Sequence, residues 1–297
     1  MTYAMRTAPP NIRIGVFDSG IGGLSVLQAL QAELPAHSFV YVADSGHAPY
    51  GERSDDFVLA RARAVTEWLL AQQLDALVMA CNTATAAAIA QLRRDYPALP
   101  IVGVEPALKP AARLSQTGHV AVMATRSTLA SEKFKALLAT VQGAAEGTAG
   151  PVQAVHVDVQ ACDGLAHAIE RAVVTGNEDD TMALCRRYID SLGGRSRFGT
   201  QAGQIDTLVL GCTHYPFAKG ILQALTGPEV QLIDTGPAVA RHTRRLLGLP
   251  VRSAGTLGTN DKSGHVRLVS TGLPGQLQAA ARRWLGNPLA TEELIYL

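Results

Sequence analysis

The sequence has few aromatic residues, almost no net charge and no long apolar run. Only 5% of its 297 residues are Phe, Trp or Tyr, so Ala, Val, Leu and Ile must form the core. That composition favours helices packed on parallel strands. A formal net charge of +1 argues against a strongly basic nucleic-acid-binding protein and against an acidic tail protein. No stretch approaches the roughly 18 apolar residues of a membrane span, and residues 1–11 lack the apolar run of a signal peptide.

Cysteine and the common cofactor motifs are also scarce. The four Cys residues form no CxxC pair, which argues against a disulfide framework and against a structural zinc site. The glycine-rich turn at residues 20–23 departs from GxGxxG, and no GxxxxGK[ST] motif is present. No Lys lies beside a phosphate-binding pattern, so a pyridoxal-phosphate Schiff base has no candidate. We therefore expect a cytoplasmic protein with reduced thiols, no metal and no membrane association.

Short apolar strands alternate with helical patterns along most of the chain. The predicted strands span residues 14–17, 39–43, 76–80 and 101–104 in the first half and 120–124, 152–159, 207–211, 230–233 and 265–269 in the second. The predicted helices include residues 57–74, 84–92, 161–174 and 181–192. This alternation predicts an α/β protein with mainly parallel sheets. Ligands bind beyond the carboxyl ends of such strands, so polar residues directly after a strand are the candidates for function.

One local similarity between the two halves indicates an internal repeat. The segment DALVMACNT, which contains Cys81, aligns with DTLVLGCTH, which contains Cys212, with Asp, Leu, Val and Cys in register. Each half then presents one thiol at the carboxyl end of a buried strand. We therefore predict two pseudo-symmetric domains, residues 1–106 plus 228–297 and residues 107–227, with the active site in the cleft between them.

The position of the two cysteines has chemical consequences. A helix N-terminus carries partial positive charge, which lowers the pKa of a nearby thiol, and the thiolate is the reactive form. Thr83 and Thr213 can cap the following helices or donate to an anion. His214 can tune the proton affinity of Cys212, and Asp18 can do the same for Cys81 or hold an ammonium group.

Two like groups that face one substrate from opposite lobes suit a symmetric task. Inverting a carbon centre by proton transfer requires a base on one face and an acid on the other, and the roles exchange in the reverse direction. Cys81 and Cys212, one ionised and one neutral, meet that requirement. Cys162 and Cys185 lie inside helical patterns and are predicted to be buried apolar side chains.

Several motifs together resemble the cofactor-independent glutamate racemases of the aspartate/glutamate racemase superfamily. The resemblance runs from about residue 12 to residue 285 in the same order and spacing. The matching segments are residues 14–26 (IGVFDSGIGGLSV), 41–44 (YVAD), 49–51 (PYG), 80–84 (ACNTA), 104–106 (VEP), 210–216 (LGCTHYP) and 232–236 (LIDTG).

The resemblance implies interconversion of L- and D-glutamate, which supplies D-glutamate for peptidoglycan, without metal or cofactor. It assigns Cys81 as the base for D-glutamate and Cys212 as the base for L-glutamate, with Asp18 and His214 in support. It implies glutamate as the ligand, a homodimer, and no requirement for nucleic acid. The implied substrate contacts are Asp18, Ser19, Tyr50, Gly51, Asn82, Thr83, Thr213 and His214. Residues 162–170 lack the prolines of many members, although Glu170 matches a polar position whose role stays open.

Three alternatives remain from the residues themselves. The same scaffold suits a racemase of aspartate or another amino acid, although His-Tyr-Pro after Cys212 and the Pro-Tyr-Gly segment favour glutamate. A two-lobed amino-acid binding protein would use the same cleft, but binding alone needs no thiols. A thiol redox protein would need Cys81 and Cys212 within disulfide range.

Overall fold

The structure is a computed structural model that describes residues 12–143, 155–251, 264–273, 275–286 and 292–297. Two parallel sheets flanked by helices make up the described chain, which confirms the predicted α/β class. The predicted absence of a signal peptide in residues 1–11 lies outside the described residues. Within the described part, no helix is both long and apolar enough to cross a membrane.

The first sheet has six strands in the order β10-β9-β2-β1-β3-β4, and all of its pairings are parallel. Its strands are β1 (Arg13–Asp18), β2 (Ser38–Ala43), β3 (Ala76–Met79), β4 (Ile101–Gly103), β9 (Val266–Ser270) and β10 (Glu292–Leu294). The helices that pack on it are α1 (Leu24–Glu33), α2 (Asp55–Leu70), α3 (Asn82–Asp95), α10 (Gly236–Leu246) and α11 (Gln276–Leu285). We call this unit the first lobe.

The second sheet has four strands in the order β6-β5-β7-β8, again with parallel pairing throughout. Its strands are β5 (His119–Ala124), β6 (His156–Ala161), β7 (Thr207–Leu210) and β8 (Gln231–Ile233). Its helices are α4 (Leu108–Leu114), α5 (Arg126–Ala130), α6 (Glu132–Gln142), α7 (Leu165–Thr175), α8 (Asp179–Ser191) and α9 (Lys219–Thr226). We call this unit the second lobe.

Eight of the nine predicted strands differ from the observed ones by at most one residue at either end. The ninth, predicted over residues 152–159, corresponds to β6 (His156–Ala161), which ends two residues later, and residues 152–154 lie outside the described ranges. The helix predicted over residues 161–174 begins later, at Leu165, because β6 continues to Ala161. Gly164 makes the turn into that helix with a φ of 76°, a left-handed conformation that glycine adopts without the penalty of a side chain.

The central strands of both sheets are buried on both faces. All four residues of β3 and all four of β7 are buried, as expected for parallel strands covered by helices on each side. The two-domain division stays a prediction. Its boundary at residues 227–228 precedes β8, which pairs with β7, so a division by sheet membership returns to the first lobe only after Ile233.

Candidate active site

The carboxyl ends of the strands in both lobes face one cavity of about 390 Å³, a size typical of small-molecule sites. Nine of the ten residues predicted from sequence line this cavity. They are Ser19, Tyr50, Gly51, Cys81, Asn82 and Thr83 from the first lobe and Cys212, Thr213 and His214 from the second. The tenth, Asp18, is fully buried directly behind them.

Cys81 follows β3 and caps the N-terminus of α3. Its Sγ accepts a hydrogen bond from the Ala84 N–H at 3.4 Å and donates to the Ser19 Oγ at 3.6 Å. Burial and the nearby Asp18 charge raise the pKa of Cys81 to about 12, and the Ala84 N–H offsets only part of that rise. The helix N-terminus was expected to lower this pKa, and that expectation was wrong because desolvation outweighs it. The neutral thiol is therefore the resting form of Cys81.

Cys212 follows β7 but has a different environment. Its Sγ lies 3.7 Å from His214 Nδ1, and His214 Nε2 lies 2.8 Å from Glu170 Oε1. Burial favours the neutral imidazole, yet the contacts with Cys212 and Glu170 raise the pKa of His214 well above its usual value. Burial likewise opposes ionisation of Glu170, but the His214 contacts hold the pKa of that carboxyl below its usual range. His214 therefore places a cationic group beside the Cys212 sulfur, the kind of neighbour that reactive cysteines have.

Asp18, buried behind the cavity wall, makes hydrogen bonds with both lobes. Its carboxylate accepts hydrogen bonds from the Gly20 N–H at 2.7 Å and from the Thr213 hydroxyl at 3.0 Å. Burial raises the pKa of Asp18 to about 6, although the His214 charge and these hydrogen bonds act in the opposite direction. Asp18 is thus a carboxyl group whose protonation changes close to neutral pH.

This raised pKa makes Asp18 a source of pH-dependent stability. The unfolded carboxyl ionises near pH 3.8 and the folded one near pH 6. The folded state therefore loses about 3 kcal/mol relative to the unfolded state as pH rises between those values. We expect Asp18→Asn to remove this contribution, so that between pH 4 and pH 6.5 the variant's free energy of unfolding in denaturant changes more in favour of the folded state than that of the wild type. Parallel stability curves for the two proteins would show that Asp18 does not titrate in this range.

The glycine-rich turn after β1 is explained by close approach between the lobes. A Cβ on Gly20 would overlap the Glu170 carboxylate, and a Cβ on Gly22 would overlap the His214 ring. The Ile21 N–H in the same turn donates to Glu170 Oε1 at 3.1 Å. The turn therefore lets the backbone of the first lobe contact the Glu170–His214 pair directly. The sequence motif alone had given this turn no role.

Polar groups without a partner mark where a ligand would bind. Both amide atoms of Asn82 are buried and lack a hydrogen-bond partner within the described residues, although Asn82 lines the cavity. A buried amide of this kind costs free energy until a ligand or water satisfies it. The Thr83 hydroxyl lies beside it, 3.3 Å from the hydroxyl of Thr125 in the second lobe.

Two cavity residues were given no role from sequence. Thr125 follows β5 and caps α5, so the rule that candidates follow strands would have found it. Glu170 lies inside α7, where the sequence pattern gives no local signal, and only the fold brings it to His214. In the described ranges, no group of three or more His, Cys, Asp or Glu side chains is placed to hold a metal ion.

The fold and the site together define a class: a two-lobed α/β protein with two unlike thiols across one small-molecule cavity. The sequence profile described as Asp/Glu/Hydantoin racemase matches residues 14–243, and the chain belongs to that family. A glutamate racemase of Ectopseudomonas mendocina is 50% identical over 235 residues, which cover 79% of this chain and 82% of the relative. One from Pseudomonas aeruginosa is 42% identical over 282 residues, covering 95% and 97%.

Solved structures agree with this assignment. A glutamate racemase isoform from Bacillus anthracis superposes with a TM-score of 0.77 at 28% identity. The superposition covers 96% of this chain and 98% of the Bacillus anthracis chain. The Escherichia coli glutamate racemase in complex with L-glutamate and the activator UDP-MurNAc-Ala also gives a TM-score of 0.77 at 28% identity. That alignment covers 97% of this chain and all of the other.

Proposed function

We propose that this chain interconverts L- and D-glutamate by proton transfer at the α-carbon, with Cys81 and Cys212 as the two acid–base groups. The observation that carries the mechanism is the contrast between the thiols. Cys81 is buried beside the Asp18 carboxylate, whereas Cys212 lies beside the His214–Glu170 pair. The two thiols therefore have unlike electrostatic environments, which suits a two-base inversion that needs one base and one acid.

Cys212 is assigned as the base towards L-glutamate and Cys81 as the acid. The Cys212 thiolate removes the α-proton, so the C–H bond breaks and an S–H bond forms. The Cys81 thiol then delivers its proton to the opposite face of the carbanion, which gives D-glutamate and a Cys81 thiolate. The reverse reaction starts from that form of the enzyme. Atoms and charge balance within the two thiols and the substrate, so the proposed steps require neither metal nor cofactor.

The remaining cavity residues supply the groups that a dicarboxylic amino acid needs. The unpartnered Asn82 amide and the Thr83 hydroxyl can donate to a carboxylate, and the loop that contains Tyr50 and Gly51 faces the same space. Asp18 is fully buried behind the cavity wall, so it acts on the substrate through Thr213, whose hydroxyl donates to the Asp18 carboxylate at 3.0 Å. Donors fixed around the substrate carboxylate also stabilise the negative charge that develops when the α-proton leaves.

The biological role follows from the family. Glutamate racemases supply D-glutamate for peptidoglycan, and thereby contribute to cell-wall formation and cell shape. We further propose that the protein acts in the cytoplasm and that it forms a homodimer. Size-exclusion chromatography with light scattering tests the dimer directly, because a mass near the 31.3 kDa of one chain would contradict it.

Exchange of the α-proton in heavy water tests the reaction. The protein is dialysed against a chelator, given no cofactor, and incubated with L-glutamate, D-glutamate or aspartate. We expect loss of the α-proton signal and growth of the opposite enantiomer with glutamate, and much slower turnover of aspartate. Faster turnover of aspartate would replace the substrate but retain the mechanism. Absence of exchange, also after addition of a UDP-muramyl activator such as that of the Escherichia coli relative, would contradict the proposal.

A further inference from the structure

A buried carboxylate outside the cavity has an unusually complete set of partners. Asp44, directly after β2, is fully buried and does not line the cavity. Its carboxylate accepts five hydrogen bonds, two of them from the guanidinium of Arg61 on α2, each at 2.9 Å. The others come from the Tyr50 hydroxyl at 2.5 Å, the Thr271 hydroxyl at 2.8 Å and His47 Nδ1 at 3.0 Å.

These partners come from separate parts of the first lobe. Arg61 lies in the middle of α2, Thr271 follows β9, and Tyr50 lies in the loop of residues 45–52 after β2. Thr271 also accepts from the Gly46 N–H at 3.1 Å, which fastens the start of the same loop. The Asp44 carboxylate therefore ties the loop to a helix and a strand end whose positions are fixed by the core.

The loop of residues 45–52 is itself part of the cavity wall. Ser45, Ala48, Pro49, Tyr50, Gly51 and Glu52 all line the cavity. The Tyr50 ring is buried between Phe17 and Phe57 in edge-to-face contacts. Gly51 faces Thr125 across the cleft, since a Cβ there would meet the Thr125 side chain at 3.5 Å. Displacement of this loop would therefore change the cavity and the contact between the lobes.

We infer that Asp44, paired with Arg61, is a positioning residue that sets the affinity for glutamate by holding residues 45–52 in their binding geometry. It touches neither thiol and makes no contact with the cavity, so it takes no part in proton transfer. This inference rests on the proposed function, because it concerns the substrate of the same site. A bidentate pair between Arg and a carboxylate has directional geometry as well as charge, which suits a positioning role.

Steady-state kinetics of Asp44→Asn and Tyr50→Phe test the inference. We expect Asp44→Asn to raise KM about tenfold or more for both enantiomers, while kcat changes less than about threefold, because a bound substrate still meets both thiols. Tyr50→Phe keeps the Asp44–Arg61 pair and removes one hydrogen bond. It should fold even if Asp44→Asn does not, and should raise KM by a smaller factor in the same direction.

Asp206 provides a matched control. It directly precedes β7, at the end of the second sheet that lies away from the cavity. It is also buried, and it accepts hydrogen bonds from the Ser115 and Thr207 hydroxyls and from the N–H groups of Gln116 and Thr117. Asp206→Asn should lower the melting temperature and leave KM unchanged. At one fixed concentration of D-glutamate, the ligand-induced increase in melting temperature should shrink in Asp44→Asn and keep its wild-type size in Asp206→Asn.

The possible outcomes separate this inference from the proposed function. A wild-type protein that does not racemise glutamate would overturn the function. If the wild type is active, an unchanged KM in Tyr50→Phe and in folded Asp44→Asn would overturn the positioning role alone. A fall in kcat at constant KM would also overturn it, since that result would place Asp44 in the proton-transfer step.

Discussion

Replacing either Cys81 or Cys212 by Ser is expected to reduce kcat/KM for racemisation by about 10²–10⁴-fold, the range in which a positioned acid–base group contributes to rate. A serine hydroxyl is a far weaker acid than a thiol and cannot supply a base at neutral pH. The two enantiomers have equal free energies, so the equilibrium constant is one. Each variant must therefore lose the same factor of kcat/KM in both directions, even though it lacks only one of the two groups.

Isotope exchange distinguishes the two thiols where racemisation rates cannot. Cys81→Ser retains the Cys212 thiolate and should still exchange the α-proton of L-glutamate slowly with heavy water. Cys212→Ser should exchange only the α-proton of D-glutamate. Proton NMR of each enantiomer with each variant measures this directly. Exchange of the opposite enantiomer would reverse the assigned roles, and near-normal racemisation by either variant would exclude the two-thiol mechanism.

Cys185 supplies the control for loss of a buried thiol. It lies on α8, is fully buried and does not line the cavity. Cys185→Ala should therefore retain wild-type kcat and KM, with at most a modest loss of stability from the small cavity that it creates. A large loss of activity in this variant would mean that thiol substitutions act through the fold rather than through the reaction.

Much of this site could be predicted from sequence because its residues follow buried strands. Cys81, Cys212 and their polar neighbours come directly after β3 and β7, and parallel strands bring their carboxyl ends to one edge. The apolar runs located those strands to within one residue. A local pattern, together with a general rule about α/β sheets, was therefore enough to predict where each thiol lies.

The electrostatics of the two thiols could not be predicted in this way. A helix N-terminus follows Cys81, and that local feature indicated a lowered pKa. The pKa is instead raised to about 12, because the thiol is buried beside Asp18 from β1. His214 follows Cys212 by two residues in the sequence, but its partner Glu170 comes from the middle of α7. Burial and charge pairing depend on contacts between distant segments, which no local pattern reports.

The same contacts explain why nearly symmetric lobes carry out chemistry that requires asymmetry. The repeat provides two thiols in similar backbone settings. The partners that differ are side chains outside the repeated segment, namely Glu170 near Cys212 and the buried Asp18 near Cys81. The difference between the environments of the two thiols is therefore a property of the assembled fold. It follows that removing one partner should equalise the thiols without displacing either of them.

His214→Gln tests that consequence and is expected to have the second-largest effect. Without the imidazolium, the Cys212 sulfur loses a cationic neighbour 3.7 Å away that would stabilise its negative charge. We expect kcat/KM at pH 7 to fall by about 10²-fold, the lower end of what one positioned acid–base group contributes. The deficit should be smaller at higher pH, because a more basic solution removes the thiol proton without the help of His214. His167→Gln, at an exposed position lining the same cavity, should leave the pH profile unchanged.

The primary deuterium isotope effect gives His214→Gln a directional signature. With L-glutamate, Cys212 breaks the C–H bond, and the variant slows that step, so the isotope effect on kcat/KM for α-deuterated L-glutamate should increase. With D-glutamate, Cys81 breaks the bond, and the isotope effect should stay the same or decrease.

Glu170→Gln should show the same asymmetry with a smaller loss of rate, because His214 remains but loses its anionic partner. A loss of equal size at every pH, with symmetric isotope effects, would mean that His214 only supports the fold around Cys212.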